Sequence, residues 1–261
     1  MRFRKTVSKE DQARGKWSTP NQLYMEVAVR RGECISPPYT ESRHADPDIE
    51  AMQRNRCIAA IQNSPCLDAY KVLRTRIRGL MQEKGSKTLM ITSALPGEGK
   101  TLTAINLALT CAKEFDQTVL LVDCDFQRQD VHKYLGIESG KGLMDFLIRE
   151  TPLKELIIWP GIEKMTFVSG GATVRESTEI MGSSRMHGFV KEIRGRYPDR
   201  LVIFDAPPVL PGADAIVLSS LVDSIAMVIA HGRTSMKVVS NALELIPKDK
   251  FLGFILNRDS G

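Results

Sequence analysis

The chain has 261 residues, 43% of them hydrophobic, and a formal net charge of +5 at neutral pH. That suits one α/β domain of roughly 180 residues plus a less compact extension. No apolar run approaches the roughly 18 residues of a membrane-spanning helix, and the charged N-terminus lacks the apolar stretch of a secretory signal.

Residues 1–50 are polar and carry Pro20, Pro37, Pro38 and Pro47 without sustained periodicity. They read as disordered chain or linker, with a short helix expected somewhere in 50–63. Residues 1–63 are thus expected to form a flexible N-terminal extension and residues 64–261 the folded domain. Arg2, Arg4, Lys5, Lys9, Arg14 and Lys16 give the tail a basic start. A solvated tail is the simple reading, contact with anionic lipid or nucleic acid the alternative. A firmer helix is predicted over 66–83, where Ala69, Val72, Leu73, Ile77, Leu80 and Met81 recur at helical spacing.

The apolar strand Thr88–Thr92 then runs into Ser93-Ala94-Leu95-Pro96-Gly97-Glu98-Gly99-Lys100-Thr101, and a helical pattern follows through Leu102, Ala104, Ile105, Leu107, Ala108 and Leu109. Strand, glycine turn, Gly-Lys-Thr and helix are the context that turns a P-loop match into a structural expectation. Gly97 and Gly99 let successive N–H groups point into one concavity, and the helix N-terminus adds a partial positive charge. Lys100 is placed to reach the β- and γ-phosphates and Thr101 to ligate Mg²⁺. The expected nucleotide contacts run through Pro96, Gly97, Glu98, Gly99, Lys100, Thr101 and Leu102. Ala94 opens the loop where a glycine is usual.

Strands and helices alternate from there. Strands are expected at Thr118–Asp123, Met165–Ser169, Leu201–Asp205, Ser224–Ala230 and Phe251–Leu256. Helical pieces are expected at Lys141–Arg149, Pro152–Ile158, Ser184–Tyr197, Ala213–Leu221 and Ser235–Leu245. Strands apolar throughout and separated by helices imply a doubly wound, mostly parallel sheet covered on both faces, with every strand's C-terminal end on one rim. Two strands end there in carboxylates: Val119–Val122 at Asp123-Cys124-Asp125, and Leu201–Phe204 at Asp205-Ala206-Pro207-Pro208. An apolar strand tipped by Asp is the Walker B form, whose carboxylate helps hold Mg²⁺ opposite the P-loop Thr. A further carboxylate beside a triphosphate demands a neutralising cation and can accept a proton from an attacking hydroxyl. Five cysteines (34, 57, 66, 111 and 124) lack metal-type spacing and predict reduced thiols and a cytosolic protein.

The deviant P-loop, the Asp-x-Asp box and Ile203-Phe204-Asp205-Ala206-Pro207-Pro208-Val209-Leu210 together resemble the bacterial tyrosine kinases (BY-kinases) of exopolysaccharide and capsule systems, within the MinD-like P-loop superfamily. Asp68–Thr75, Gly170-Gly171 and Glu179–Met186 add to the likeness, and Tyr197–Asp205 is most similar to the subgroup of exosortase (PEP-CTERM) loci. The resemblance covers about residues 65–257. It implies MgATP as cofactor, and Lys100 and Thr101 at phosphates and metal. Asp125 and Asp205 would help hold the metal, and Asp123 would be the candidate base nearest the γ-phosphate. Asn257 and Arg258 would stand where relatives grip adenine. Asp68, Lys71 and Arg74, three apart and so along one helix face, match a helix with which relatives assemble into rings.

The resemblance also implies a membrane activator of the chain-length-regulator type, tyrosine-containing protein substrates, and a cytoplasmic protein held at the inner membrane through that partner. Nucleic acid is not expected. Gln127 stands where the family usually has Arg. Tyr197 is expected in the core and Tyr70 packed on its helix, which leaves Tyr24 and Tyr39 as candidate acceptors. Two alternatives remain: a catalytically weak ATP-binding regulatory subunit, and a ParA/MinD-type ATPase switch. Leu95 argues against the switch, because it replaces that group's signature lysine.

Overall fold

The computed structural model describes residues 42–57, 66–114, 116–174 and 177–258. The basic tail, Cys34, Tyr24 and Tyr39 therefore lie outside the described residues. In chain order the elements are β1 (Arg43–His44), α1 (Ile49–Arg54), α2 (Leu67–Glu83), β2 (Thr88–Ser93), α3 (Lys100–Cys111) and β3 (Thr118–Asp123). The short helices α4 (Val131–Leu135), α5 (Leu143–Arg149) and α6 (Leu153–Leu156) lead to β4 (Ile157–Trp159) and β5 (Met165–Val168). Then come α7 (Thr178–Met181), α8 (Ser184–Gly195), β6 (Arg200–Asp205), α9 (Asp214–Leu221), β7 (Ser224–Ala230), α10 (Met236–Glu244) and β8 (Phe251–Asn257).

The strands form one sheet in the order β1-β4-β5-β3-β6-β2-β7-β8. Every pairing is parallel except β4 with β5. All residues of β2, β3 and β6 are buried, which is why these strands are apolar almost throughout instead of alternating. The pleat divides them between two cores. Met90, Leu120, Val122, Val202 and Phe204 point to one face, against α8 and α9. Leu89, Ile91, Val119, Leu121 and Ile203 point to the other, against α2 and α3.

The structure departs from the sequence reading in four places. The helix expected over Pro152–Ile158 stops at Leu156, and Ile157-Ile158-Trp159 continue as a strand antiparallel to β5. Two isoleucines and a tryptophan fit a half-buried pleated surface better than a last helical turn. The short helices α4 and α7 lie outside the expected elements, since five and four residues are too few for periodicity to register. Tyr197 is not core: it is half-buried, with the Arg200 guanidinium stacked 4.0 Å over its ring.

The fourth departure concerns residues 42–57, expected as part of a flexible extension. They fold onto the domain. β1 pairs with β4, Asp48 caps α1 by accepting the Ala51 N–H at 2.9 Å, and Met52 and Cys57 are fully buried. The folded unit therefore begins earlier than composition suggests.

Candidate active site

The carboxyl ends of three central strands meet by register. Ile91 of β2 stands beside Asp205 of β6, and Asp205 stands beside Asp123 of β3. β2 feeds directly into the P-loop, where Gly97 and Gly99 adopt φ values of 79° and 97° that a side chain resists. Gly99 is doubly constrained. A Cβ there would also collide with the Asn257 amide, which donates to the Glu98 carbonyl at 2.8 Å. Arg258 donates to the Gly97 carbonyl at 2.7 Å. The end of β8 thus clasps the loop from outside.

Glu98, counted among the nucleotide contacts, turns the other way. Its buried carboxylate accepts the Leu95 N–H at 2.7 Å, the Ala230 N–H at 3.4 Å and the Thr234 hydroxyl. It braces the loop against β7, so any contact of Glu98 with a phosphate is left to its backbone N–H.

Lys100 and three aspartates fill the floor. The Lys100 ammonium lies 2.8 Å from Asp125 Oδ2 and 3.5 Å from Asp205 Oδ1, and donates to Thr101 Oγ1 at 3.3 Å. Burial alone would pull its pKa down, but Asp205, Asp125 and Asp123 more than offset this and hold it above the ordinary lysine value. Asp123 is fully buried. Its oxygens accept the N–H groups of Asp125 (3.2 Å) and Val131 (3.3 Å). Burial, then Asp205, push its carboxyl well above the usual range despite Lys100 and those two N–H groups. Asp205 is raised too, by burial first, against the opposing pull of Lys100 and Thr101. Neither Asp205 oxygen accepts a well-formed hydrogen bond, and the Lys100 ammonium reaches Oδ1 only at 3.5 Å.

Those two oxygens test whether a magnesium nucleotide fits. Buried carboxylate oxygens served only by one long ammonium contact are costly and have capacity for a further cation, and Thr101 and Asp125 stand next to them. Among the described residues no group of three or more His, Cys, Asp or Glu forms a self-sufficient metal cage. Mg²⁺ does not need one, since it takes few protein ligands and completes its shell with phosphate and water oxygens. The donor set fits a magnesium-bound nucleotide phosphate.

A cleft of about 1100 Å³ opens above this floor. Pro96, Gly97, Gly99, Lys100, Thr101, Leu102, Asp125, Asn257 and Arg258 all line it, so the structure gathers most of the sequence-derived site. Asp123 and Asp205 lie behind that surface. Gln127 is at the rim. Asp68, Lys71 and Arg74 do not join the cleft, nor do they form one exposed stripe. Lys71 pairs with Asp68 at 2.8 Å, whereas Arg74 turns inward to Glu114 (2.6 Å) and the Thr110 carbonyl (3.0 Å).

The sequence reading missed the wall opposite β8, which Arg54, Asn55 and Arg56 build. A signal existed: Pro47-Asp48 followed by Glu50 is a helix start. It also missed Tyr134, a cleft-lining tyrosine of α4.

Comparison with known proteins agrees with this geometry. Residues 86–250 match the family model described as an AAA domain. The chain is 32% identical over 208 residues to the tyrosine-protein kinase YwqD of Bacillus subtilis (strain 168), covering 79% of this chain and 86% of YwqD. It is 30% identical over 193 residues to the tyrosine-protein kinase etk of Escherichia coli (strain K12), covering 73% of this chain but 26% of that longer protein. The VpsO kinase domain superposes with a TM-score of 0.64 at 27% identity, over 80% of this chain and 96% of that one. The chain belongs to the family of bacterial tyrosine-protein kinases.

Proposed function

We propose that the protein binds MgATP in this cleft and transfers the γ-phosphoryl group to tyrosine hydroxyls, on itself or on proteins of exopolysaccharide assembly. The observation that carries the reading is the buried Lys100–Asp125–Asp205 arrangement under a P-loop, in a chain of this family. Lys100 and the loop N–H groups would hold the phosphates. Thr101, Asp125 and Asp205 would hold Mg²⁺, which would neutralise the charge developing on the transferred group.

The tyrosine oxygen forms a bond to the γ-phosphorus as the bond to the ADP oxygen breaks, and the hydroxyl proton leaves to a carboxylate. Asp123 is the candidate acceptor, its carboxyl raised by burial and by Asp205 and held by the Asp125 and Val131 N–H groups. Asp125, on the cleft surface, is the second carboxylate beside it. Positioning and electrostatics carry most of the catalysis, because phosphoryl transfer asks little covalent chemistry of the protein.

A chain-length-regulator-type membrane protein as activator, a homo-oligomeric ring and a place at the cytoplasmic face of the inner membrane belong to the same proposal. Among the described residues no helix is long and apolar enough to cross a membrane. The test is incubation with labelled ATP and Mg²⁺, with and without an activator segment. Phosphotyrosine supports the reading. Free phosphate alone points to an ATPase switch, where the uncharged Leu95 is already unfavourable, and neither product points to a regulatory subunit.

A further inference from the structure

We infer that Arg54, Arg56 and Arg128 form a cationic rim on the acceptor side of the cleft, and that this rim selects tyrosines flanked by acidic residues. The inference rests on the tyrosine-kinase reading above and names its substrate class.

Sheet order gives the rim its position. β3 and β8 lie on opposite sides of β2, the strand that feeds the P-loop. Asn257 and Arg258 follow from β8 and clasp the loop on one side. Arg128 follows β3, and α1 packs beside α4 in that same connection, through the Asn55 amide on the Lys133 carbonyl at 3.1 Å. A nucleotide whose base lies toward Asn257 leaves the Arg54–Arg56 side for the incoming hydroxyl.

Charge bookkeeping then favours an acidic visitor. Arg54, Arg56 and Arg128 are exposed and line the cleft. The cleft's own carboxylates are committed. Asp125 pairs with Lys100, Asp214 accepts the Ser177 and Thr178 hydroxyls, and Asp130 is shared between Arg128 (2.8 Å) and Lys133 (2.9 Å), so Arg128 is partly neutralised and Arg54 and Arg56 carry most of the rim's charge. The Arg56 guanidinium makes no ion pair among the described residues, and Arg54 has only long contacts, 3.5 Å to both Asp48 and Glu50.

The backbone at Arg56 is the more pointed observation. α1 ends in a Schellman motif, with the Arg56 N–H on the Gln53 carbonyl (3.0 Å) and the Cys57 N–H on the Met52 carbonyl (2.8 Å). That motif places Arg56 at φ 61°, a position glycine ordinarily takes. A long charged side chain thus stands at a left-handed position where local stability favours glycine, and it lines the cleft. The mount is rigid: Met52 and Cys57 are fully buried on either side, and the Asn106 amide holds the Arg56 carbonyl at 3.1 Å.

The experiment uses the full chain with MgATP and two random copolymers, one of Glu and Tyr, one of Ala, Lys and Tyr. The acidic copolymer should be preferred. The double variant R54Q/R56G should raise its KM by about tenfold and leave the ATP KM unchanged. Arg56→Gly relieves the left-handed strain, so loss of fold does not confuse the result. Arg56→Lys should recover part of the preference, and R76Q, which removes an exposed arginine of α2 outside the cleft, should have no effect. Equal use of both copolymers, or a shift in the ATP KM instead, overturns the inference. Fluorescence anisotropy of a Glu-flanked tyrosine peptide, with a non-hydrolysable ATP analogue and Mg²⁺, decides the rim even if no tyrosine is phosphorylated. Peptide binding weakened in R54Q/R56G supports the rim although the activity assignment has failed, and unchanged binding removes the rim as well.

Discussion

The two walls of the cleft are attached to its floor by different means. On the β8 side, Asn257 and Arg258 donate directly to the P-loop carbonyls of Glu98 and Gly97. β8 is itself laddered to β7, and the Asn257 carbonyl accepts the His231 N–H at 2.8 Å. On the opposite side, Arg54–Cys57 make no such contact with the loop. They are held by two buried apolar side chains and by Asn55 and Asn106 amides, against α4 and α3. A wall hydrogen-bonded to the phosphate loop should report on nucleotide affinity. A wall docked through the core should report on stability and on whatever enters from that side.

The floor common to both walls gives the largest expected effect. Lys100→Met should cut phosphoryl transfer on the order of a thousandfold or more by removing the charge at the transferring group. It should also destabilise the fold by about 3–5 kcal/mol near neutral pH, because buried carboxylates lose their counter-ion. The cost depends on pH with a definite sign. Asp123 and Asp205 bind protons more tightly folded than unfolded. Their contribution is therefore most favourable at low pH and is lost as pH rises through the raised folded values. The Tm deficit of the variant should be widest near pH 8 and narrow toward pH 5. A deficit independent of pH would mean that packing, not charge, ties Lys100 to the floor.

Met52→Ala comes next and sharpens the contrast between the walls. Met52 is fully buried against the second core, so truncation should cost about 2–4 kcal/mol. A linker residue would cost under ~0.5 kcal/mol. Urea unfolding with an unchanged m-value would measure it.

That difference also marks what the sequence made legible. The β2–loop–α3 unit could be read because its parts are contiguous: six buried residues, two glycines with enforced φ, then Gly-Lys-Thr. The meeting of Asp123 with Asp205 could be read because strand tips of a parallel sheet share one rim. The inward turn of Glu98 could not, since its partners Ala230 and Thr234 lie more than 130 positions away. Arg74 could not either. Three-residue spacing aligns it with Lys71, but Glu114, beyond the end of α3, draws it in. The N-terminal wall was hidden by composition, because Met52 and Cys57 alone carry the burial of a polar, proline-containing stretch. β4 was hidden by continuity, since nothing in Leu156-Ile157 marks where helix gives way to strand.

On the β8 side, Asn257→Ala removes the amide on the Glu98 carbonyl and opens space beside Gly99. One hydrogen bond at a loop of this kind is worth about 1 kcal/mol, so the ATP KM should rise about fivefold. kcat should change little and stability less than in Met52→Ala. A variant that loses stability but keeps its ATP KM would dissolve the distinction between the walls.

The smallest effect probes access between the walls. Burial pushes the Cys57 and Cys111 thiols up to about 12 and raises Cys124 well above its ordinary value, so none of the three offers thiolate at neutral pH. Cys66 precedes α2, is exposed and lines the cleft. In a Cys34→Ser background a maleimide should therefore label Cys66 first. Cys66 stands at the mouth and not on the floor, so a bound magnesium nucleotide should slow that labelling by only a few-fold. Protection as complete as that of the buried thiols would mean that the walls close over the nucleotide. Equal labelling with and without it would put the nucleotide's path on the β8 side alone.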